Sequence, residues 1–133
     1  MKGSFHHLDV TVRDLGASQA FYTPLLQFLG YRCVKADDTV IVWHLEPAGR
    51  YVCALALRPA RSERPHDRYS AGLHHVAWTA DSRASVDAFH ALMKSAGATI
   101  LDPPADYPQY GPTYYSVFVA DPDGMKLEYA YTG

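Results

Sequence analysis

The chain opens with a pattern that it repeats further on. Ser4-Phe-His-His-Leu-Asp-Val-Thr-Val-Arg-Asp14 is answered by Gly72-Leu-His-His-Val-Ala-Trp-Thr-Ala-Asp81. Each copy has a His-His doublet, then apolar alternation, then an Asp just ahead of a helical segment. The offset from His7 to His75 nearly equals that from Asp14 to Asp81. A repeat of this kind constrains the architecture before any single residue is interpreted.

Alternation then picks one histidine from each doublet, because strand side chains point to opposite faces in turn. Leu8, Val10 and Val12 share a face with His6, and His7, Asp9 and Thr11 oppose them. Val76 and Trp78 share a face with His74, and His75, Ala77 and Thr79 oppose them. A sheet covered by helices on one side buries its more apolar face, so His7 and His75 are expected to point the other way.

The 133 residues suit one compact domain, or two small halves sharing a core. With 48% hydrophobic and 20% charged residues, the composition is that of an ordinary soluble globular protein. A formal charge of -2 and a pI near 6.3 give no electrostatic case for nucleic acid or an anionic membrane. No apolar run is long enough to span a bilayer, and the first residues lack the apolar region of a signal peptide. Cys33 and Cys53 make no metal or redox motif. A cytoplasmic location with reduced thiols is the expectation.

Both halves read as β-α-β-β-β. Module one covers about 5–58, with a first strand at 5–12. Asp14 caps a helix at 17–29, and Gly30 ends it. Ala20, Phe21, Leu25, Phe28 and Leu29 form its apolar stripe, and Pro24 predicts a kink or two short pieces. Strands follow at 31–34, 39–45 and 51–57. A charged, proline-bearing connection covers 59–71. Module two covers about 72–132: a strand at 73–79, a helix at 83–96 capped by Asp81 or Ser82, and strands at 99–101, 114–119 and 125–131. Val86, Phe89, Leu92 and Met93 are its helix stripe. The aromatic loop at 102–112 has the length of a lid. If it is one, trimming 107–110 should weaken ligand binding and leave stability nearly unchanged. Asp121-Pro-Asp-Gly124 is the turn of the last hairpin.

That hairpin adds a carboxylate. On the last strand Met125, Leu127, Tyr129 and Tyr131 share one face, and Glu128 lies on the other with Lys126 and Ala130. His7, His75 and Glu128, aimed into one concavity from three strands, make a divalent-metal set with open positions. Neutral imidazoles and a carboxylate bind a borderline metal without saturating it, which leaves room for a substrate oxygen. Taken alone, Glu128 reads rather as a solvated carboxylate beside Lys126. His44 is a further ligand if its strand register points inward.

These pieces resemble the vicinal oxygen chelate superfamily, also called the glyoxalase/bleomycin resistance/dioxygenase family. The matching segments are His7-Leu-Asp-Val-Thr-Val-Arg-Asp-Leu15 with Phe21-Tyr22, Gly72-Leu-His-His-Val-Ala-Trp78, and Asp121-Pro-Asp-Gly-Met-Lys-Leu-Glu128. The resemblance implies an α+β fold of two tandem βαβββ modules in one domain, 1–133. Their mixed sheets would form a cup-like site, with the helices on the outer face. It also implies that His7, His75 and Glu128 occupy the metal-ligand positions. The ion would be Zn, Ni, Mn or Fe(II), and relatives are often dimers.

Departures from the family matter as well. Glyoxalase I-like enzymes take a fourth ligand from the last strand of the first module, and 51–57 holds no carboxylate or amide. Extradiol dioxygenases place a Tyr where this chain has Phe118, and residues 107–116 contain no His. Thiol transferases that inactivate fosfomycin share the three-ligand set, but no phosphonate-binding cluster is evident here.

Two functions follow. One is a metal-dependent lyase, isomerase or dioxygenase acting on a small oxygen-bearing substrate, with Tyr115 and Asp9 as proton-transfer candidates by position. The other is a metal-free binding protein of the bleomycin-resistance type, its cup lined by Trp43, Tyr110, Tyr114 and Phe118 for stacking. Retention of all three candidate ligands favours the enzyme.

Overall fold

Each half of the chain runs strand, helix, then three strands. A computed structural model describes residues 1–133 and divides them into two units, Met1–Arg64 and Pro65–Gly133. The first contains β1 (His7–Val12), α1 (Leu15–Phe28), β2 (Tyr31–Ala36), β3 (Ile41–Leu45), a 3-10 turn (Pro47–Gly49) and β4 (Cys53–Pro59). The second contains β5 (His75–Thr79), α2 (Arg83–Ser95), β6 (Thr99–Asp106), β7 (Tyr115–Ala120) and β8 (Lys126–Tyr131). The sheets have equivalent orders, β1-β4-β3-β2 and β5-β8-β7-β6, and in each the first strand runs parallel to the last. The fold is α+β, two mixed four-stranded sheets with one helix apiece.

Local chemistry sets the elements. Asp14 accepts from the Ala17 N–H at 3.0 Å and starts α1, and the Ser82 hydroxyl accepts from Ser85 N–H at 3.0 Å and starts α2. Pro24 does not split α1, which is one helix of 14 residues. Its buried face holds it: Ser18, Tyr22, Leu25 and Leu26 are buried, whereas Ala20 is exposed and Phe21 half-buried. The stripe is thus rotated from the one expected. In α2, Val86, Phe89 and Met93 are buried and Leu92 is half-buried.

Asp121 explains the last hairpin turn. Its Oδ1 accepts from the N–H groups of Asp123 (2.9 Å) and Met125 (2.8 Å), and Gly124 supplies the positive φ of 82°. β6 runs farther than expected, through Pro103-Pro104 to Asp106. Its place at the sheet edge, with register shifts around the prolines, tolerates the missing donors.

Candidate functional site

Glu128 is the most constrained polar side chain of the second unit. It pairs in register with Ala77 on β5 and Phe118 on β7, and it is only 3% exposed. A carboxylate removed from water must be hydrogen-bonded or paired. The Tyr114 hydroxyl donates to Oε1 at 2.5 Å and the Ser116 hydroxyl donates to the same oxygen at 2.9 Å. The other oxygen, Oε2, lies 3.1 Å from His75 Nε2. Desolvation, then the bond to Glu128 and its charge, pushes the Tyr114 phenol far above its usual range, so it stays a donor.

At 3.1 Å the pair is within hydrogen-bond distance, a separation that two ligands of one ion would also have. With bonds of about 2.1 Å, adjacent ligands of an octahedral ion stand about 3 Å apart. One carboxylate oxygen is held by hydroxyls and the other faces an imidazole nitrogen, a donor set suited to a borderline divalent ion. The opposite ring nitrogen, His75 Nδ1, lies 2.8 Å from His74 Nδ1. The Phe118 ring lies edge-on to His75, with centroids 6.4 Å apart, and Lys126 Nζ stands 4.4 Å from the Phe118 centroid.

In the first unit, His7, Ala54, His44 and Arg32 form one row across β1, β4, β3 and β2. His7 is exposed, and its Nδ1 lies 3.0 Å from His6 Nδ1. His44 faces the same way, but its Nδ1 meets Glu46 Oε1 at 2.9 Å, and Arg32 donates to Glu46 Oε2 at 2.6 Å. Those bonds, His44 first, hold the Glu46 carboxyl below its usual range. The next row carries Asp9 beside Ala56. Asp9 accepts from Arg58 Nε at 2.7 Å. Ala56 stands where Glu128 stands in the second unit, since Asp9–Ala56–Val42 matches Ala77–Glu128–Phe118. No group of three or more His, Cys, Asp or Glu side chains placed to hold a metal ion is found.

Two expected site residues lie on the wrong face. Trp43 is 2% exposed and pairs with Leu55 on the face that buries Ile41 and Leu57, so it is core rather than lining. Tyr115 pairs with Tyr131, and its hydroxyl donates to Asp87 on α2 at 2.6 Å. It faces the helix, and the bond to Asp87 raises its pKa, the wrong direction for a base. Tyr114 and Phe118 do share the face of Glu128.

Tyr110 is 64% exposed and stacks on Tyr107 at 5.8 Å, while Tyr107 meets Phe118 at 5.5 Å. The loop after β6 is therefore a turn closed by its own rings, with Tyr107 N–H donating to the Tyr114 carbonyl at 2.9 Å. The sequence reading named Lys126, His6 and His74 without giving them a role at the site, and it passed over Ser116. The one available signal for Ser116 was a lone hydroxyl in an apolar strand.

Residues 4–129 match the family model for the glyoxalase/bleomycin resistance protein/dioxygenase superfamily. YaeR of Escherichia coli, itself uncharacterized, is 34% identical over 92% of each chain. The uncharacterized YqjT of Bacillus subtilis is 29% identical over 92% of this chain and 94% of its own. A glyoxalase/bleomycin resistance protein from Albidiferax ferrireducens is 27% identical, with a TM-score of 0.73 over 97% of this chain and 98% of its own. A fosfomycin resistance protein from Listeria monocytogenes shares the fold at 19% identity, with a TM-score of 0.70 over 100% of this chain and 96% of its own.

Proposed function

Because this chain belongs to the glyoxalase/bleomycin resistance protein/dioxygenase superfamily, we propose that it is a metal-dependent enzyme acting on a small oxygen-bearing substrate. His7, His75 and Glu128 would be the protein ligands of one divalent ion, Zn, Ni, Mn or Fe(II). The observation that carries the reading is the state of Glu128: buried, one oxygen held by two hydroxyls, the other at ligand spacing from His75 Nε2.

A divalent ion bound there supplies a Lewis acid that polarises a substrate oxygen. The chain's own groups do the rest. Tyr114 and Ser116 fix the rotamer of Glu128 and neutralise one of its oxygens. Phe118 and the stacked Tyr107 and Tyr110 offer apolar surface to a flat substrate. Asp9, two residues along β1 from His7 on the same face, is the proposed proton acceptor, and Arg58 orients it. Ala56 provides no fourth ligand, so the set leaves more positions for substrate than a four-ligand site does.

Metal content of the untagged protein, beside His7→Ala and Glu128→Ala, tests this. About one equivalent in the parent and none in either variant is the expected result. No uptake of Mn, Fe(II), Ni or Zn by the parent would turn the reading to a metal-free ligand-binding protein that uses the same aromatic surface.

A further inference from the structure

A lysine or arginine that loses part of its water ordinarily meets a carboxylate. This chain reverses that rule. Four of its twelve lysines and arginines, Arg32, Lys35, Arg58 and Arg83, form ion pairs within a unit, and all four are exposed. Arg68 and Lys126 alone are half-buried, and neither stands in an ion pair. Burial of the aliphatic stems does not account for this, since a stem can lie on apolar surface while its head reaches water. Here the heads are held down. Arg68 Nη2 donates to the Gly124 carbonyl at 2.8 Å, and Lys126 Nζ stands 4.4 Å from the centroid of Phe118, a ring only 6% exposed.

Both cations belong to one corner of the second unit. Gly124 precedes Lys126 by two residues at the entrance to β8, and Lys126 pairs in register with His75 on β5. From the other side, the Arg68 guanidinium lies over Tyr69 at 5.8 Å, and Tyr69 is edge-on to His74 at 5.7 Å. The nearby carboxylates are committed elsewhere. Glu128 is taken by Tyr114, Ser116 and His75. Asp67 accepts from Tyr69 N–H and the Ser70 hydroxyl, and Asp121 accepts from two N–H groups of its own turn. Asp102 lies beyond Phe118, on the edge strand β6.

We propose that Arg68 and Lys126 form a subsite for the anionic oxygen group of the ligand, a carboxylate carried on a flat ring that lies along Phe118 and Tyr107. This rests on the reading that the Glu128 face takes the ligand, and it does not rest on the metal. One guanidinium N–H of Arg68 is used by Gly124, which leaves others for an oxyanion, and Lys126 adds a point charge beside them. The Tyr107 ring, 5.5 Å from Phe118, continues the apolar surface away from the corner. A carboxylate there replaces the water that both cations have lost, and a neutral group of the same shape does not.

The test is calorimetric titration of the full-length protein with naphthoate and with its neutral amide, naphthamide. The protein is first stripped of metal by a chelator and dialysed. The parent is compared with Lys126→Met, Arg68→Met and Lys126→Arg. The parent should bind naphthoate about 10-fold tighter than naphthamide, the worth of a hydrogen bond to a charged group. Each Met variant should lose about 10-fold for naphthoate and bind naphthamide nearly as the parent does. Lys126→Arg keeps the charge and should keep most of the preference.

Equal affinity of the parent for the two probes, or no binding of naphthoate, would overturn the proposal. Equal losses for both probes in the Met variants would also overturn it, since that is what a packing role predicts. The protein is metal-free throughout, so failure of the metal reading leaves these outcomes intact. A protein that takes up metal but shows no preference for naphthoate would lose the subsite alone.

Discussion

At the strand position where the second unit places Glu128, the first places Ala56, and the surroundings differ to match. Glu128 has Phe118 across from it, and Ser116, two residues before Phe118, donates to its Oε1. Ala56 has Val42 across from it, and two residues before Val42 stands Val40, which has no hydroxyl. One repeat has a buried carboxylate together with the donors that make burial tolerable. The other has neither and buries methyl groups instead. Strand order alone therefore does not make a position for a buried carboxylate. The position needs donors on the neighbouring strand, because a carboxylate without them is driven back to water.

The largest effect should come from forcing the two units to match. Ala56→Glu places a carboxylate at a position 5% exposed, next to the Asp9 carboxylate and with no hydroxyl on the facing strand, and should destabilise the protein by about 3 kcal/mol in urea unfolding. Adding Val40→Ser should recover about 1 kcal/mol. A neutral Ala56→Glu would mean that the first unit tolerates a buried carboxylate without a facing hydroxyl.

Next come the donors themselves. Ser116→Ala and Tyr114→Phe should each cost about 1.5–3 kcal/mol, the usual loss for a hydrogen bond to a charged group. Tyr114 also gives the contrast a pH dependence. Its pKa is raised in the folded protein, so the folded state holds that proton while an unfolded tyrosine loses it above about pH 10. Stability from this group is full below pH 10 and falls as pH rises beyond it. Ultraviolet titration should show the most delayed tyrosine ionisation of the parent missing from Tyr114→Phe.

A smaller effect is expected in the loop after β6. Because Tyr107 packs on Phe118 and Tyr110, Tyr107→Ala should cost about 1–2 kcal/mol as well as weaken ligand binding. A binding defect with unchanged melting would restore the lid reading suggested by the length of the segment. The exposed Asp9–Arg58 pair of the first unit should matter least. Asp9→Asn should change stability by no more than about 0.5 kcal/mol, in contrast to the buried pairings of Glu128.

Much of the fold was legible in the chain. The doubled His-His segment located β1 and β5, Asp14 and the Asp81-Ser82 pair marked the helix starts, with Ser82 the actual cap, and alternation put Glu128 opposite Leu127 and Tyr129. The face of Tyr115 was not legible, but that of Trp43 was. In β3, Ile41, Trp43 and Leu45 alternate with Val42 and His44, so the same rule that sorted the histidines puts Trp43 with the buried set rather than in the lining. Tyr114 and Tyr115 are adjacent and chemically equal, and only the pairing of Tyr115 with Tyr131 shows which one meets Glu128. The stripe of α1 slipped for a related reason. Apolar residues fill nearly every position from 20 to 29, so periodicity does not choose among them.

In the proposed function the carboxylate of one unit and the histidines of both hold a metal. The decisive measurement is metal analysis of the untagged protein after incubation with Zn, beside Glu128→Ala and His7→Ala. About one equivalent is expected in the parent and essentially none in either variant, with all three proteins folded by circular dichroism. Full occupancy in the His7→Ala variant, or an empty parent, would mean that these residues do not hold a metal together.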